Sequence, residues 1–352
     1  MKKLYFIFSL ILISGTLTAQ SYDNPESAVY DHINDQYLIS NAGNGTIVAA
    51  DVSSYSLSSF ISSGLTSPKG MCIANDMLYV TDETQVHAIS LNNGSISQSI
   101  SISGAQGLND ITTNGDTLFI SDMQADKIFY LTISGYSDDV LSEASALDSP
   151  NGILFDQNGD LVLVSFTSSA SFQIVNRVDG YMEFSMGTGI SDMDGITQDA
   201  SGTYYLSSWD EDAVFAFNSL SSPPTVDDIV VANTSDPADI YYDDEYDVLI
   251  IPEFNNNDVK FIEANSLGVK QNNKEQIRVY PVPGDKNVTI NIPDRYLNKE
   301  HTAQIFTTAG KLVQKKELTK TEMEISGLAA GTYIIEFKLG EETKTEKFII
   351  TD

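Results

Sequence analysis

Six times between Asn24 and Leu267 the chain repeats one short phrase. A three-residue turn is followed by an apolar strand, a polar hairpin and a second apolar strand that ends in a small or acidic residue. The turns are Pro25-Glu26-Ser27, Pro68-Lys69-Gly70, Leu108-Asn109-Asp110, Pro150-Asn151-Gly152, Met193-Asp194-Gly195 and Pro237-Ala238-Asp239, at successive steps of 43, 40, 42, 43 and 44 residues. A period in the low forties built of short strands is the period of propeller blades. The repeat therefore predicts an all-β chain whose main body, residues 21–270, is a six-bladed β-propeller. Asn114-Gly115-Asp116 and Gln157-Asn158-Gly159 lie between apolar runs and read as hairpin turns. Asp156, Asn158 and Asp160 resemble part of a calcium loop, but the glycine and distal glutamate of an EF-hand are absent from their positions. After Lys260-Phe261-Ile262 either Ser266 to Lys270 supplies a fourth strand to the last blade, or the ring closes without one.

Charge divides the chain at the same boundary. Residues 21–270 hold 5 Lys/Arg against 37 Asp/Glu, whereas residues 271–352 hold 12 of each sign. A surface this acidic repels nucleic acid and anionic lipid and attracts cations. Lys2 and Lys3, the apolar run Leu4–Ile13 and a polar close at Ala19-Gln20 read as a secretory signal peptide over residues 1–20, too short in its apolar part for a bilayer span. No other stretch approaches that length, so the mature chain is expected to have no transmembrane span. Gln-Asn-Asn-Lys-Glu-Gln at 271–276 reads as a linker. Residues 277–352, rich in strand-like segments and turns, read as a small immunoglobulin-like β-sandwich.

Candidate chemistry is restricted by what is scarce. Cys72 is the only cysteine, and Met71 and Ile73 beside it mark it as a buried inner-strand residue rather than a reactive thiol. With only His32, His87 and His301 present and none in a recognisable pairing, zinc sites of the His/Cys kind are excluded. A Ser-His-Asp hydrolase is also argued against, because no Gly-x-Ser-x-Gly elbow exists and His32 has no evident partners.

Inner strands of a propeller start around a central channel, so residues at equivalent places in the repeat converge there. The middle turn residues are Glu26, Lys69, Asn109, Asn151, Asp194 and Ala238. The ends of the second strands, on the same face but further out, read Asn41, Asp82, Asp122, Phe166, Trp209 and Glu253. Oxygen-rich sets of this kind suit hard cations such as calcium. Lys69 offers the opposite reading, since its ammonium could neutralise Glu26 or Asp194, or bind an anionic substrate. Asp110 and Asp239, one place further on, read as turn formers.

Two resemblances follow from these residues. Val279-Tyr280-Pro281-Val282-Pro283, Thr308-Ala309-Gly310-Lys311-Leu312-Val313, Ile325-Ser326-Gly327-Leu328-Ala329-Ala330-Gly331-Thr332-Tyr333 and Lys347-Phe348-Ile349-Ile350 together resemble the C-terminal sorting domain of the type IX secretion system of Bacteroidetes. That resemblance implies export across the outer membrane to the cell surface or the medium, with the secretion machinery and its sortase-like protease as partners. Glu26-Ser27-Ala28-Val29-Tyr30-Asp31, Asn109-Asp110, Pro150-Asn151-Gly152 and Asp194-Gly195 resemble, in order and spacing, the senescence marker protein, gluconolactonase and luciferin-regenerating family, an NHL-like propeller class. It implies one divalent cation, Ca2+, held by Glu26, Asn151 and Asp194, with Asn109 at the substrate or metal and Asp194 as general base in lactone opening. Gly107 stands where some members place an arginine, and Lys69 has no counterpart role. Two functions follow: a metal-dependent hydrolase of a sugar lactone or related cyclic ester, or a non-catalytic propeller that holds a ligand or partner at the same mouth or at its rim with Phe166 and Trp209.

Overall fold

The computed structural model describes residues 20–143, 147–218, 224, 228–264 and 267, and in the C-terminal part 278–280, 284–285, 287–291, 298–307, 310–319, 322–339 and 342–351. The expected signal peptide, apart from Gln20, and the expected linker lie outside the described residues, as does the segment Ser266 to Lys270 apart from Leu267. Blade 1 is the meander β1 (Pro25–Asp31), β2 (Gln36–Asn41), β3 (Thr46–Asp51), β4 (Leu57–Ile61), and blade 2 is β5 (Pro68–Ala74), β6 (Met77–Asp82), β7 (Gln85–Ser90), β8 (Ile96–Ser101). Blades 3 and 4 repeat the order with β9 (Leu108–Thr113) to β12 (Asp138–Ser142) and β13 (Pro150–Phe155) to β16 (Met182–Gly187). Blade 5 runs from β17 (Met193–Gln198) through β18 (Tyr204–Ser208) and β19 (Ala213–Phe217) to β20 (Ile229–Ala232). Blade 6 has three described strands, β21 (Tyr241–Asp243), β22 (Val248–Glu253) and β23 (Asp258–Glu263).

Within a blade, burial declines outward. The second strand is buried almost throughout, as in β6 and β18, whereas the outermost strand alternates or is exposed, as in β8 and β16. Both faces of the inner strands are covered because each blade packs against two neighbours. Leu78, Val80 and Ile89 face blade 1 with Leu38 and Ile47, while Tyr79, Val86 and Ala88 face blade 3 with Leu118 and Ile120. Each such side chain taken from water contributes about 1.5–3 kcal/mol, which makes blade-on-blade packing the main source of stability.

The expected three-residue turns are the bulged first residues of the inner strands rather than separate turns. Pairing with the second strand shifts register between Pro25 and Ala28, Pro68 and Met71, Pro150 and Ile153, and Met193 and Ile196, and opposite Asp122 and Ile120 in blade 3. A bulge leaves an extra residue out of the ladder and re-aims its side chain. Here that residue is the middle one of each phrase.

A hydroxyl near the end of the second strand locks the bulge. Ser40, Ser121 and Ser207 accept hydrogen bonds from the N–H groups of Ser27, Asp110 and Gly195 in their own blades. The same oxygens donate across the blade boundary to the carbonyls of Lys69 (2.8 Å), Asn151 (2.5 Å) and Ala238 (2.7 Å). Thr81 does likewise toward Asn109, at 2.5 Å. In these four blades the hydroxyl residue near the end of the second strand is thus a tie between neighbouring blades. Ring closure uses main chain instead, with Asp239 N–H donating to Glu26 C=O at 2.9 Å. Ala28, Tyr37 and Ile39 of blade 1 complete the seal against Val248, Ile250 and Val259 of blade 6.

The C-terminal part forms a three-stranded sheet and a five-stranded sheet. Ile325 of the first packs with Ile305, Ile335, Phe337 and Phe348 of the second in one core. Gly284–Asp285 pairs parallel to the last strand, Glu342–Thr351, and the other pairings are antiparallel.

Candidate site at the channel mouth

The five bulges bring Glu26, Lys69, Asn109, Asn151 and Asp194 to one end of the channel, as the repeat predicts. Glu26, Asn109, Asn151, Asp194 and Ala238 are buried, and Lys69 alone keeps part of its side chain, 31%, in solvent. Lys69 Nζ lies 3.0 Å from Glu26 Oε1, and Asn151 Nδ2 donates to Asp194 Oδ2 at 3.1 Å. Glu26, helped by Asp194 and opposed by burial, holds the Lys69 ammonium above its ordinary pKa. Burial, reinforced by the Glu26 charge and only partly offset by Lys69, pushes the Asp194 carboxyl well above the usual range.

Three oxygens on this ring, Asn109 Oδ1, Asn151 Oδ1 and Asp194 Oδ1, are buried without a hydrogen-bond partner. Buried polar atoms are ordinarily paired, and a buried acceptor without a donor costs about 1–3 kcal/mol. Such oxygens call for a cation or a donor group. Among the described residues no group of three or more His, Cys, Asp or Glu is arranged to hold a metal ion. The oxygen set here is of a different kind, two carboxylates and two carboxamides, a composition that suits a hard cation.

Beneath this ring lies a layer that sequence reading passed over. The next residue of each phrase is Ser27, Gly70, Asp110, Gly152, Gly195 and Asp239. At Gly195 the inner strands approach closely: a Cβ there would stand 2.5 Å from Ile240 N and 2.6 Å from Asp239 Cα. Asp110 and Asp239, both buried and three blades apart, are channel carboxylates rather than turn formers. Asp110 accepts from the N–H groups of Ile153 (2.7 Å) and Ile111 (2.6 Å), and Asp239 accepts from Ser27 Oγ at 2.5 Å. Burial pushes Asp110 up to about 7 and Asp239 well above the usual range, the latter with help from the Asp110 charge. The signal for both was in the sequence: they are the only acids at that place in the repeat.

The second-strand ends are tethers rather than a free acidic rim. Asp82 accepts from Thr66 N (2.8 Å) and Ser67 N (2.7 Å), and Asp122 from Gln106 N (2.7 Å) and Gly107 N (3.1 Å), so each carboxylate clamps the loop leading into its own blade. Glu253 binds Ser235 N and forms an ion pair with Lys260. The true equivalents in blades 4 and 5 are Ser165 and Ser208, and Phe166 and Trp209 fall one place beyond. These two rings meet edge to face at 5.7 Å, and Trp209 also packs on Phe254 at 5.3 Å. Sequence reading missed Phe254 as the third member of this aromatic row.

A pocket of about 420 Å3 is lined by Lys69 and Asn109 together with Gly107 and Leu108. It lies on the side of blades 2 and 3, with Gln106, Met123 and Gln124 also in its wall and neither Phe166 nor Trp209 among its lining. The Gln124 side chain fills the space that a side chain on Gly107 would need, 2.6 Å from the position of a Cβ there.

Comparison with known proteins agrees with both parts. Residues 278–351 match the family described as the secretion system C-terminal sorting domain. No curated protein matches the chain in sequence. Among solved structures, a structural-genomics protein of unknown function from Bacteroides thetaiotaomicron superposes with a TM-score of 0.56 at 13% identity, covering 70% of each chain. A gluconolactonase from Xanthomonas campestris gives 0.54 at 13% identity over 66% of this chain and 84% of that one. A catalytically inactive virginiamycin B lyase from Staphylococcus aureus, solved with quinupristin, gives 0.53 at 12% identity over 67% and 78%. At these identities the likeness is one of fold. Fold and tail define the class, an exported six-bladed propeller. Its type IX sorting domain marks the chain for passage across the outer membrane to the cell surface.

Proposed function

We propose that this exported propeller opens a sugar lactone or a related cyclic ester at its channel mouth, with the assistance of a divalent cation. The observation that carries the reading is the trio of partnerless buried oxygens, Asn109 Oδ1, Asn151 Oδ1 and Asp194 Oδ1. Glu26, Asn151 and Asp194 are the residues suited to hold Ca2+, which when bound would polarise the ester carbonyl. Asp194 is the group to receive a proton from water, and Asn151, which donates to Asp194 Oδ2 at 3.1 Å, fixes its orientation. Asn109 and Lys69 flank the 420 Å3 pocket, where Lys69 can hold a substrate carboxylate or hydroxyl. The gluconolactonase among the fold neighbours supports this choice of substrate class.

A second reading rests on one distance. With Lys69 Nζ 3.0 Å from Glu26, the glutamate already has a counter-ion, which favours a metal-free binding propeller. Calorimetric titration of the full chain with Ca2+, beside a Glu26→Ala/Asp194→Ala variant, separates the two. One-site binding lost in the variant, with lactone hydrolysis lost in Asp194→Ala at unchanged Tm, supports the hydrolase. Absence of binding in both proteins overturns it and leaves the binder.

A further inference from the structure

Away from the channel, blade 2 assembles three side chains that the sequence kept apart. His87 on β7 lies directly across from Ser99 on β8 in the ladder, and its Nδ1 is 2.9 Å from Ser99 Oγ. On the other side of the ring, His87 Nε2 is 3.3 Å from Asp82 Oδ2. Asp82 and His87 are both buried, whereas Ser99 is exposed. We propose that Ser99 is a nucleophile activated by the His87–Asp82 couple, giving the outer strand of blade 2 an acyl-transfer site for esters.

Three observations support a chemical role. The base is oriented from behind by a carboxylate that two main-chain amides, Thr66 N and Ser67 N, hold in place at 2.8 and 2.7 Å. A nucleophile, a base and a group orienting the base, each within hydrogen-bond reach of the next, is the arrangement that lowers the barrier to proton removal from a serine. Burial would raise Asp82, but its bonds to His87, Ser67 and Thr66 outweigh burial and keep it below its ordinary pKa, so it remains an anion. Nor does the fold demand a histidine here. The equivalent third residue of the third strand is Val48, Phe129, Gln173, Phe215 and Lys260 in the other blades.

The reaction balances without any added reagent. Ser99 Oγ adds to the ester carbonyl carbon as its proton passes to His87 Nδ1, and the Nε2–H stays directed at Asp82. The carbon–oxygen bond to the alcohol then breaks, and the alcohol leaves with the proton from His87. Water adds to the acyl carbon, gives one proton to His87, and the acid departs as that proton returns to Ser99. β8 is the outermost strand of its sheet, so alternate main-chain N–H groups along its free edge face outward beside Ser99 as donors to a developing oxyanion. An open strand has no deep pocket, and the substrates it fits are small esters with an accessible carbonyl.

The test is labelling of the full chain with a fluorophosphonate, read by peptide mass spectrometry. In this reaction Ser99 Oγ displaces fluoride from phosphorus, and the serine proton leaves through His87. The expected result is an adduct on Ser99 that is absent in Ser99→Ala and persists in Asp194→Ala, where channel chemistry is removed. Its rate should fall by about a hundredfold in His87→Gln, the loss typical of a removed general base. Ser99 is exposed, so Ser99→Ala folds. No adduct on Ser99 in the native chain, or equal rates with and without His87, overturns the proposal.

Discussion

The Lys69 ammonium sits 3.0 Å from Glu26 Oε1 across the boundary of the first two blades, so the channel mouth carries its own cation. Any divalent ion at Glu26 must share the carboxylate with that ammonium or displace it. Lys69→Met keeps the length of the side chain and removes the charge. The expected outcome is Ca2+ binding tighter by about tenfold or more, since like charges a few ångströms apart in a partly buried site repel strongly. Calorimetry on the two proteins checks it, and equal affinities would show that Glu26 is not a ligand.

The stability of the ring should fall with rising pH. Asp110, Asp194 and Asp239 all have folded-state pKa values raised by burial. A carboxyl raised on folding binds its proton more tightly in the native chain. Its contribution is therefore fully present below the unfolded pKa near ~4, and it is lost as pH climbs toward the folded pKa, about 7 for Asp110. Thermal melts at pH 5 and pH 8 should differ by several degrees in favour of pH 5. Asp110→Asn should narrow that difference. A Tm that is flat across the window would refute the assignment.

Ser121 holds two blades at once, accepting from Asp110 N at 3.0 Å and donating to Asn151 O at 2.5 Å. Ser121→Ala leaves a buried N–H and a buried carbonyl without this partner. The expected cost is about 1–3 kcal/mol, measured as a shift in the urea midpoint at constant m-value. Because Asn151 is displaced with its carbonyl, ligand affinity at the mouth should fall as well.

Gly195→Ala tests the close approach of blades 5 and 6. The added methyl would stand 2.5 Å from Ile240 N, a main-chain atom that cannot move without opening the ring. Overpacking of this kind costs typically about 1–3 kcal/mol, and more where backbone must shift. A drop in Tm larger than that of Ser121→Ala is expected, and near-native stability would mean that the channel is wider than described.

The two halves of the site were unequally legible before the structure. Glu26, Lys69, Asn109, Asn151 and Asp194 could be read from the repeat alone, because equivalent places in a closed ring share one radius and one face. Asp110 and Asp239 stood in the same repeat, but aspartate is common in turns, and only their burial in the channel reveals them. The acids at the second-strand ends were legible as residues and not as roles. Nothing local distinguishes a rim ligand from Asp82, whose partners Thr66 and Ser67 come from the loop that begins its own blade.

By itself the sequence determined six blades, their phase and the sorting tail, because strand periodicity and turn residues act over distances of a few residues. It determined also that oxygen-bearing side chains meet at one mouth. Only the tertiary structure decided which are paired. Lys69 with Glu26, Ser27 with Asp239 and His87 with Asp82 and Ser99 join residues from 5 to 212 positions apart. For the pairs between blades, contact depends on the tilt of one blade against the next and on a bulge that turns a single side chain; within blade 2 it depends on the strand register that sets His87 opposite Ser99.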